Sequence, residues 1–197
     1  MPDAGRVIAG AARGRRLIAP GRGTRPLGDR VKQTLFAILE PRLPGAAFLD
    51  LFAGSGAAGI EALSRGAARA TFVEHDAAAC SVIRENLRRT GLGGASAEIV
   101  PADAVAWLAG RSAAAPRFDV VVIDPPYDMP DLLFGCLERL GDPARVLLAA
   151  DAAVAAKHFW RDRPPPRVGL LASRDERRFG ETALTIYRLV GSSEVGG

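Results

Sequence analysis

Four consecutive branched aliphatic residues, Val120-Val121-Val122-Ile123, place the tightest constraint on how this chain can fold. A strand with one wet face alternates apolar and polar residues. An unbroken apolar run predicts a strand covered on both faces, as in a parallel sheet flanked by helices. The surrounding sequence supplies such partners. Short apolar runs at 47–52, 69–74 and 97–100 lead into helical patterns ending at Ser64, over 77–90 and around 105–108. A further helix is expected at 132–140 and a strand at 146–149. The runs at 168–172 and 182–189 are close enough to close the fold as an antiparallel hairpin. Repeated β-α units predict an α/β fold with a mostly parallel, doubly wound sheet. The mixed charges of 174–178 read as a solvated turn.

The first 45 residues have a different character. Runs at 6–9 and 16–19 suggest a small β-hairpin, followed by an irregular Gly- and Pro-bearing stretch over 20–28. Asp29 suits an N-cap for a helix with Val31, Leu35, Ile38 and Leu39 on its apolar face and Arg30, Lys32 and Gln33 elsewhere. Pro41 and Pro44-Gly45 end it. The expected organisation is therefore an extension over 1–45, a main domain over 46–190, and a frayed tail at 191–197.

Charge separates these parts. Residues 1–45 carry nine Lys or Arg against three Asp or Glu, whereas the rest of the chain carries 17 against 19. A basic segment ahead of a near-neutral domain predicts a polyanionic partner, and Arg13, Arg15 and Arg16 on the hairpin turn are its first candidates. Arginine dominates throughout, and Lys32 and Lys157 are the only lysines. Two cysteines exclude a disulfide scaffold, and Cys80 and Cys136 are expected to be buried fillers. With two histidines as well, no metal site is expected. His75 is expected at the surface, and Trp107 and His158-Phe159-Trp160 are expected to pack. No apolar run approaches the roughly 20 residues of a membrane span. The N-terminus lacks the order of a secretory signal. A soluble cytoplasmic protein is expected, with monomer as the default.

Two motifs carry chemistry. Gly54-Ser55-Gly56-Ala57-Ala58-Gly59 follows a strand and opens a helix, where glycines let the backbone approach a nucleotide-like ligand. Glu74 ends the next strand, about 20 residues on, where a carboxylate can accept from both ribose hydroxyls. Asp50, four residues before Gly54, would repel a pyrophosphate but suits the ammonium of a methionine moiety. This favours S-adenosylmethionine over NAD, and no His or Lys is suitably placed for hydride chemistry. Asp124-Pro125-Pro126-Tyr127 follows the buried strand, at the sheet edge where open α/β folds bind ligands. A carboxylate and a proline carbonyl can accept both hydrogens of an exocyclic amine and aim its lone pair, and positioning of this kind removes roughly 7–11 kcal/mol of barrier. Tyr127 offers a ring on which a base can stack.

Asp50-Leu51-Phe52-Ala53-Gly54-Ser55-Gly56 with Asp124-Pro125-Pro126-Tyr127 resembles the amino-methyltransferases. Thr24-Arg25-Pro26, Asp29-Arg30-Val31-Lys32, Leu35-Phe36, Glu61-Ala62-Leu63-Ser64-Arg65-Gly66-Ala67 and Phe179-Gly180-Glu181-Thr182 make the chain similar to the RsmD family of 16S ribosomal RNA guanine-N2 methyltransferases. The resemblance implies a Rossmann-like methyltransferase domain behind an N-terminal hairpin, with S-adenosylmethionine as donor and rRNA of the assembled small subunit as target. It implies that Asp50, Phe52, Gly54, Ser55 and Gly56 line the methionine end of the donor, Glu74 the ribose, and Asp103 the adenine amine. Asp124, Pro125 and Tyr127 would hold a guanine flipped from its stack. Arg13, Arg15, Arg16, Arg25 and Arg30 would meet RNA. Asp124 is expected to orient the amine with an ordinary carboxylate pKa. Leu27 and Gln33 stand where Thr and Glu are usual, which leaves the role of 25–33 open. The competing readings are adenine N6 methylation and a non-catalytic ribosome-assembly RNA binder. A protein-glutamine enzyme would carry Asn in place of Asp124.

Overall fold

The computed structural model describes residues 3–21, 28–112 and 114–190. The chain divides into two compact units, Met1–Asp103 and Ala104–Gly197. The first begins with two antiparallel strands, β1 (Asp3–Arg6) and β2 (Arg16–Ile18). Helix α1 (Asp29–Leu39) follows, prolonged by one 3-10 turn over Glu40–Arg42. Then β3 (Ala47–Leu51), α2 (Ala57–Ser64), β4 (Arg69–Glu74), α3 (Ala77–Thr90) and β5 (Ala97–Pro101) alternate. The three strands are parallel, with β4 between β5 and β3. Every residue of β3 is buried, as expected of a parallel strand covered on both faces.

The second unit contains α4 (Ala104–Gly110), β6 (Phe118–Ile123), α5 (Pro130–Gly141), β7 (Leu148–Phe159), β8 (Arg167–Val168), β9 (Leu171–Phe179) and β10 (Thr182–Leu189). Its strand order is β6-β7-β10-β9-β8, parallel between β6 and β7 and antiparallel beyond. Among the described residues no helix is long and apolar enough to cross a membrane.

Several sequence expectations are corrected. The first strand lies at Asp3–Arg6 rather than 6–9, because the N–H groups of Ile8 and Ala9 donate to the Glu61 carboxylate instead of to a strand. Gly28, not Asp29, is the N-cap of α1, and Asp29 stands in the first turn. β7 runs on to Phe159, twelve residues in all. Its middle is rich in alanine, whose weak strand preference conceals it until β6 and β10 pair with it. Residues 174–178 form strand β9 rather than a turn, since pairing with β10 fixes a backbone that their charges leave undecided.

The buried face of α1 is Lys32, Leu35, Phe36 and Leu39, so Lys32 points inward and not to solvent. These residues follow the i, i+3, i+4, i+7 spacing of one helix face, with an ammonium in the place of a hydrophobe. Its partner is Glu61 on α2, fully buried, with Nζ to Oε2 at 3.7 Å. Lys32 also donates to the carbonyl of Arg6. Glu61 accepts from Ile8 N (2.7 Å), Ala9 N (3.0 Å) and Arg65 Nε (2.8 Å). Ser64 accepts from Ala12 N (2.9 Å), and Asn86 on α3 accepts from Ile18 N and donates to its carbonyl, both at 2.9 Å. Polar side chains of α2 and α3 thus fasten the hairpin by satisfying its unpaired backbone.

Removing Glu61 leaves Lys32 buried without a counter-charge and orphans two backbone N–H groups. Glu61→Ala is expected to lower the unfolding free energy in urea by about 3–5 kcal/mol. Lys32→Met is expected to cost clearly less, since Glu61 keeps Arg65 and its backbone donors.

Candidate active site

In the first unit the chain leaves β3 through a loop that turns back on itself. Phe52 (φ 62°), Gly54 (φ 54°) and Gly56 (φ 75°) all adopt left-handed backbone conformations. At Phe52 this conformation costs on the order of 1–3 kcal/mol and persists only where the surroundings enforce it. Two carboxylates do so. Asp50, buried at the end of β3, accepts from Gly59 N at 2.9 Å. Glu74, buried at the end of β4, accepts from Gly54 N through Oε2 and from Asp76 N through Oε1, each at 2.9 Å. Asp76 in turn caps α3 by accepting from Ala78 N at 2.7 Å. Gly59 allows α2 to seat on β4, because a Cβ there would lie 2.2 Å from the Phe72 ring.

Ser55 and Gly56 are buried at the start of α2, while Phe52 and Gly54 are half-exposed. Asp103 is exposed immediately before α4, and His75 is exposed with Nδ1 3.1 Å from Glu74 Oε1. Glu74 has two oxygens and about four acceptor positions, so its two backbone bonds leave capacity for hydroxyl donors. Glycines without side chains, with the Glu74 carboxylate against Gly54, fit a nucleoside bearing positive charge. A pyrophosphate would meet that carboxylate.

In the second unit, Asp124 follows the last residue of β6. The parallel register pairs Ile123 with Ala156, and the next step along both strands puts Lys157 beside Asp124. Lys157 Nζ lies 2.5 Å from Asp124 Oδ1, with side chains 11% and 22% exposed. Burial pushes the Asp124 carboxyl above its ordinary value, and the ammonium opposes that rise without cancelling it. The expectation of an ordinary carboxylate is corrected here, and desolvation is the cause. Pro125 is buried and Pro126 exposed. The Pro126 carbonyl accepts from Met129 N at 3.1 Å, whereas that of Pro125 has no donor among the described residues. The Tyr127 hydroxyl is 2.6 Å from Thr182 Oγ1 on β10. The Tyr127 ring centroid lies 6.5 Å from that of Phe159 and 4.9 Å from Lys157 Nζ.

Lys157, Thr182 and Phe159 are thus parts of the site that motif reading left unassigned. Lys157 carried one signal, being one of two lysines in a chain of 26 basic residues. Cys80 and Cys136 are buried, as expected. Of the residues expected to meet RNA, Arg13, Arg15, Arg16 and Arg30 are exposed, with Arg16 Nη1 3.1 Å from Asp3 Oδ2. Arg25 and Leu27 lie outside the described residues. A second basic stretch, 157–190, carries eight Lys or Arg against four Asp or Glu. Dividing the chain only at residue 45 averages it with the acidic middle.

His158 is buried beside this motif. Its Nδ1 donates to the Phe159 carbonyl (2.8 Å), so Nε2 accepts from the Thr185 hydroxyl (2.9 Å). Burial holds its pKa below 6.5, so below that pH the unfolded chain takes up a proton that the fold resists. The contribution of His158 to stability is therefore complete above pH 6.5 and falls as the pH drops below it. The thermal midpoint of the protein is expected to fall between pH 7 and pH 5, and to fall less in His158→Gln.

A family model described as conserved hypothetical protein 95 matches residues 5–188. "Putative rRNA methyltransferase YlbH" of Bacillus subtilis is 36% identical over 187 residues, covering 94% of this chain and all of that protein. Ribosomal RNA small subunit methyltransferase D of Haemophilus influenzae is 42% identical over 123 residues, which are 62% of this chain and 63% of that relative. Among solved structures, "Putative methyltransferase yhhF from Escherichia coli" superposes with a TM-score of 0.82 at 34% identity, covering 93% of this chain and 97% of that one. The Rossmann-like methyltransferase architecture expected from the sequence is the one this chain adopts.

Proposed function

The chain belongs to the family described as conserved hypothetical protein 95, the RsmD family, and on that premise we propose that it methylates the exocyclic N2 of a guanine in 16S rRNA with S-adenosylmethionine as donor. The observation that carries the reading is that Asp124 is followed directly by Pro125, whose carbonyl has no donor among the described residues, and by Tyr127, whose hydroxyl lies 2.6 Å from Thr182 Oγ1.

S-adenosylmethionine, when bound, supplies an electrophilic methyl group on a sulfonium. Asp50 braces the glycine loop, Gly54, Ser55 and Gly56 leave room at the methionine end, and Phe52 borders it. Glu74 would take the ribose and Asp103 the adenine amine. The guanine N2 lone pair is delocalised into its ring. Hydrogen bonds from the amine to Asp124 and to the Pro125 carbonyl localise that pair and aim it. Once methylated, the nitrogen would be acidic and would have a proton to give up. Asp124, with its pKa raised by burial, is a better acceptor for that proton than an exposed carboxylate. The base reaches this position by leaving its stack, and Tyr127 returns part of that cost by stacking.

Residues 1–45 are read as the RNA-contacting extension, through Arg13, Arg15, Arg16, Arg25 and Arg30, and 46–190 as the methyl-transfer domain. The exposed arginines between 161 and 178 would give the RNA backbone a second place to bind. The substrate is read as rRNA of the small ribosomal subunit in the bacterial cytoplasm, met by a monomer.

The test is transfer of labelled methyl from S-adenosylmethionine to small-subunit particles and to naked 16S rRNA that lack the modification, followed by nucleoside analysis. N2-methylguanosine is expected. Label on adenine N6 would move the reading to the other amine, and donor binding without transfer would favour an RNA binder. Asp124→Ala is expected to lose about 10²–10⁴-fold in rate while calorimetry shows donor affinity kept. Glu74→Ala is expected to do the reverse at saturating donor, weakening donor binding with a smaller effect on rate.

A further inference from the structure

The second unit holds a largely buried ion pair where the reaction motif needs a free carboxylate, and nothing around the pair requires it for stability. A buried pair seldom stabilises a fold more than two well-packed apolar side chains would, and the rest of β7 around Lys157 is apolar. Residues 152–156 are buried Ala and Val, and the cross-strand neighbour of Lys157 on β10 is Leu184. An aliphatic side chain would suit that environment. The ammonium there instead touches two members of the motif, Asp124 Oδ1 at 2.5 Å and the Tyr127 ring at 4.9 Å.

We propose that Lys157 is a positioning residue for the methyl acceptor, occupying Asp124 Oδ1 so that the carboxylate offers the incoming amine one oxygen, Oδ2, beside the Pro125 carbonyl. The proposal rests on the amine-methyltransferase reading given above. An unrestrained carboxylate rotates about its Cβ–Cγ bond and presents either oxygen at several angles. Tied through Oδ1, it presents Oδ2 in one direction. The same ammonium lies 4.9 Å from the Tyr127 ring centroid, within range of attraction to its π-face, while Thr182 holds the hydroxyl. Lys157 thereby couples the group that orients the amine to the group that holds the base.

The ammonium also opposes the rise that burial imposes on the Asp124 carboxyl. A protonated Asp124 would offer a donor where the amine needs an acceptor. The charged and titratable groups around the pair are few. Asp162 lines the same cleft, His158 turns away to Thr185, and Arg177, one strand further across Leu184, has Nη2 3.1 Å from Asp175 Oδ2. None of these takes over the role of Lys157 at Oδ1.

The test compares full-length Lys157→Met and Lys157→Arg with the parent protein by two readouts. The first is carboxyl-carbon NMR of Asp124 across a pH titration, assigned with Asp124→Asn and independent of activity. Lys157→Met is expected to move the Asp124 midpoint upward by about one pH unit or more, and Lys157→Arg to leave it near the parent value. The second readout is the pH dependence of methyl transfer to small-subunit particles. The acid limb of kcat/KM is expected to rise in Lys157→Met by the same amount as the NMR midpoint. At neutral pH kcat should fall about tenfold or more with donor affinity unchanged, and Lys157→Arg should recover part of it. An unmoved midpoint and acid limb in Lys157→Met would overturn the proposal, as would a variant faster than the parent, which would make the lysine a competitor of the substrate amine. If Lys157→Met does not fold, Lys157→Gln takes its place in the same titration. Failure of the methyltransferase reading would be distinct, since the parent would then lack transfer while the NMR comparison stood.

Discussion

Glu61 is a carboxylate with no exposure to water, and the first unit is assembled around it. Burying such a charge alone would cost several kcal/mol. The cost is met by Lys32 from α1, Arg65 from its own helix, and the N–H groups of Ile8 and Ala9 from the hairpin. Ile8 and Ala9 belong to a hairpin with little core of its own. A two-stranded hairpin of this size does not hold in water unaided. Here its backbone is completed by Glu61, Ser64 and Asn86, so the exposed arginines at its turn are displayed from a fixed base.

The same device recurs at the glycine loop. Asp50 and Glu74 spend acceptors on Gly59 N and Gly54 N, and those bonds keep Phe52 in a left-handed conformation it would otherwise leave. Carboxylates that could bind a ligand also build the loop that would receive it. The loop is thereby preorganised, and its geometry does not have to be established at the moment of binding.

The two lysines show how composition can hide a site. The chain uses Arg for nearly every exposed cation, yet Lys32 and Lys157 are buried, each against a carboxylate. A guanidinium needs room for a planar fork, whereas an ammonium is compact and fits at the end of a strand or inside a helix face. Counted with the arginines, Lys32 enlarged the apparent RNA-binding charge of the extension and Lys157 vanished into a neutral average. Their rarity was visible in the sequence, but their burial was not.

Local patterns fixed much of this protein in advance. The uninterrupted Val120-Val121-Val122-Ile123 run required a strand covered on both faces, the G-x-G-x-x-G spacing required a tight loop before a helix, and 69–74 and 77–90 emerged as the strand and helix that their periodicity indicates. These features depend on neighbours in the chain, so the chain alone reveals them. The alanine-rich length of β7, the strand formed by 174–178, and the inward turn of Lys32 depend on partners far away in sequence. So does the elevation of the Asp124 pKa, because desolvation is a property of everything that packs around a group and not of the group itself. Lys157 and Asp124 are 33 residues apart. Only the register of β6 against β7 brings them together, and no spacing within either segment encodes that register.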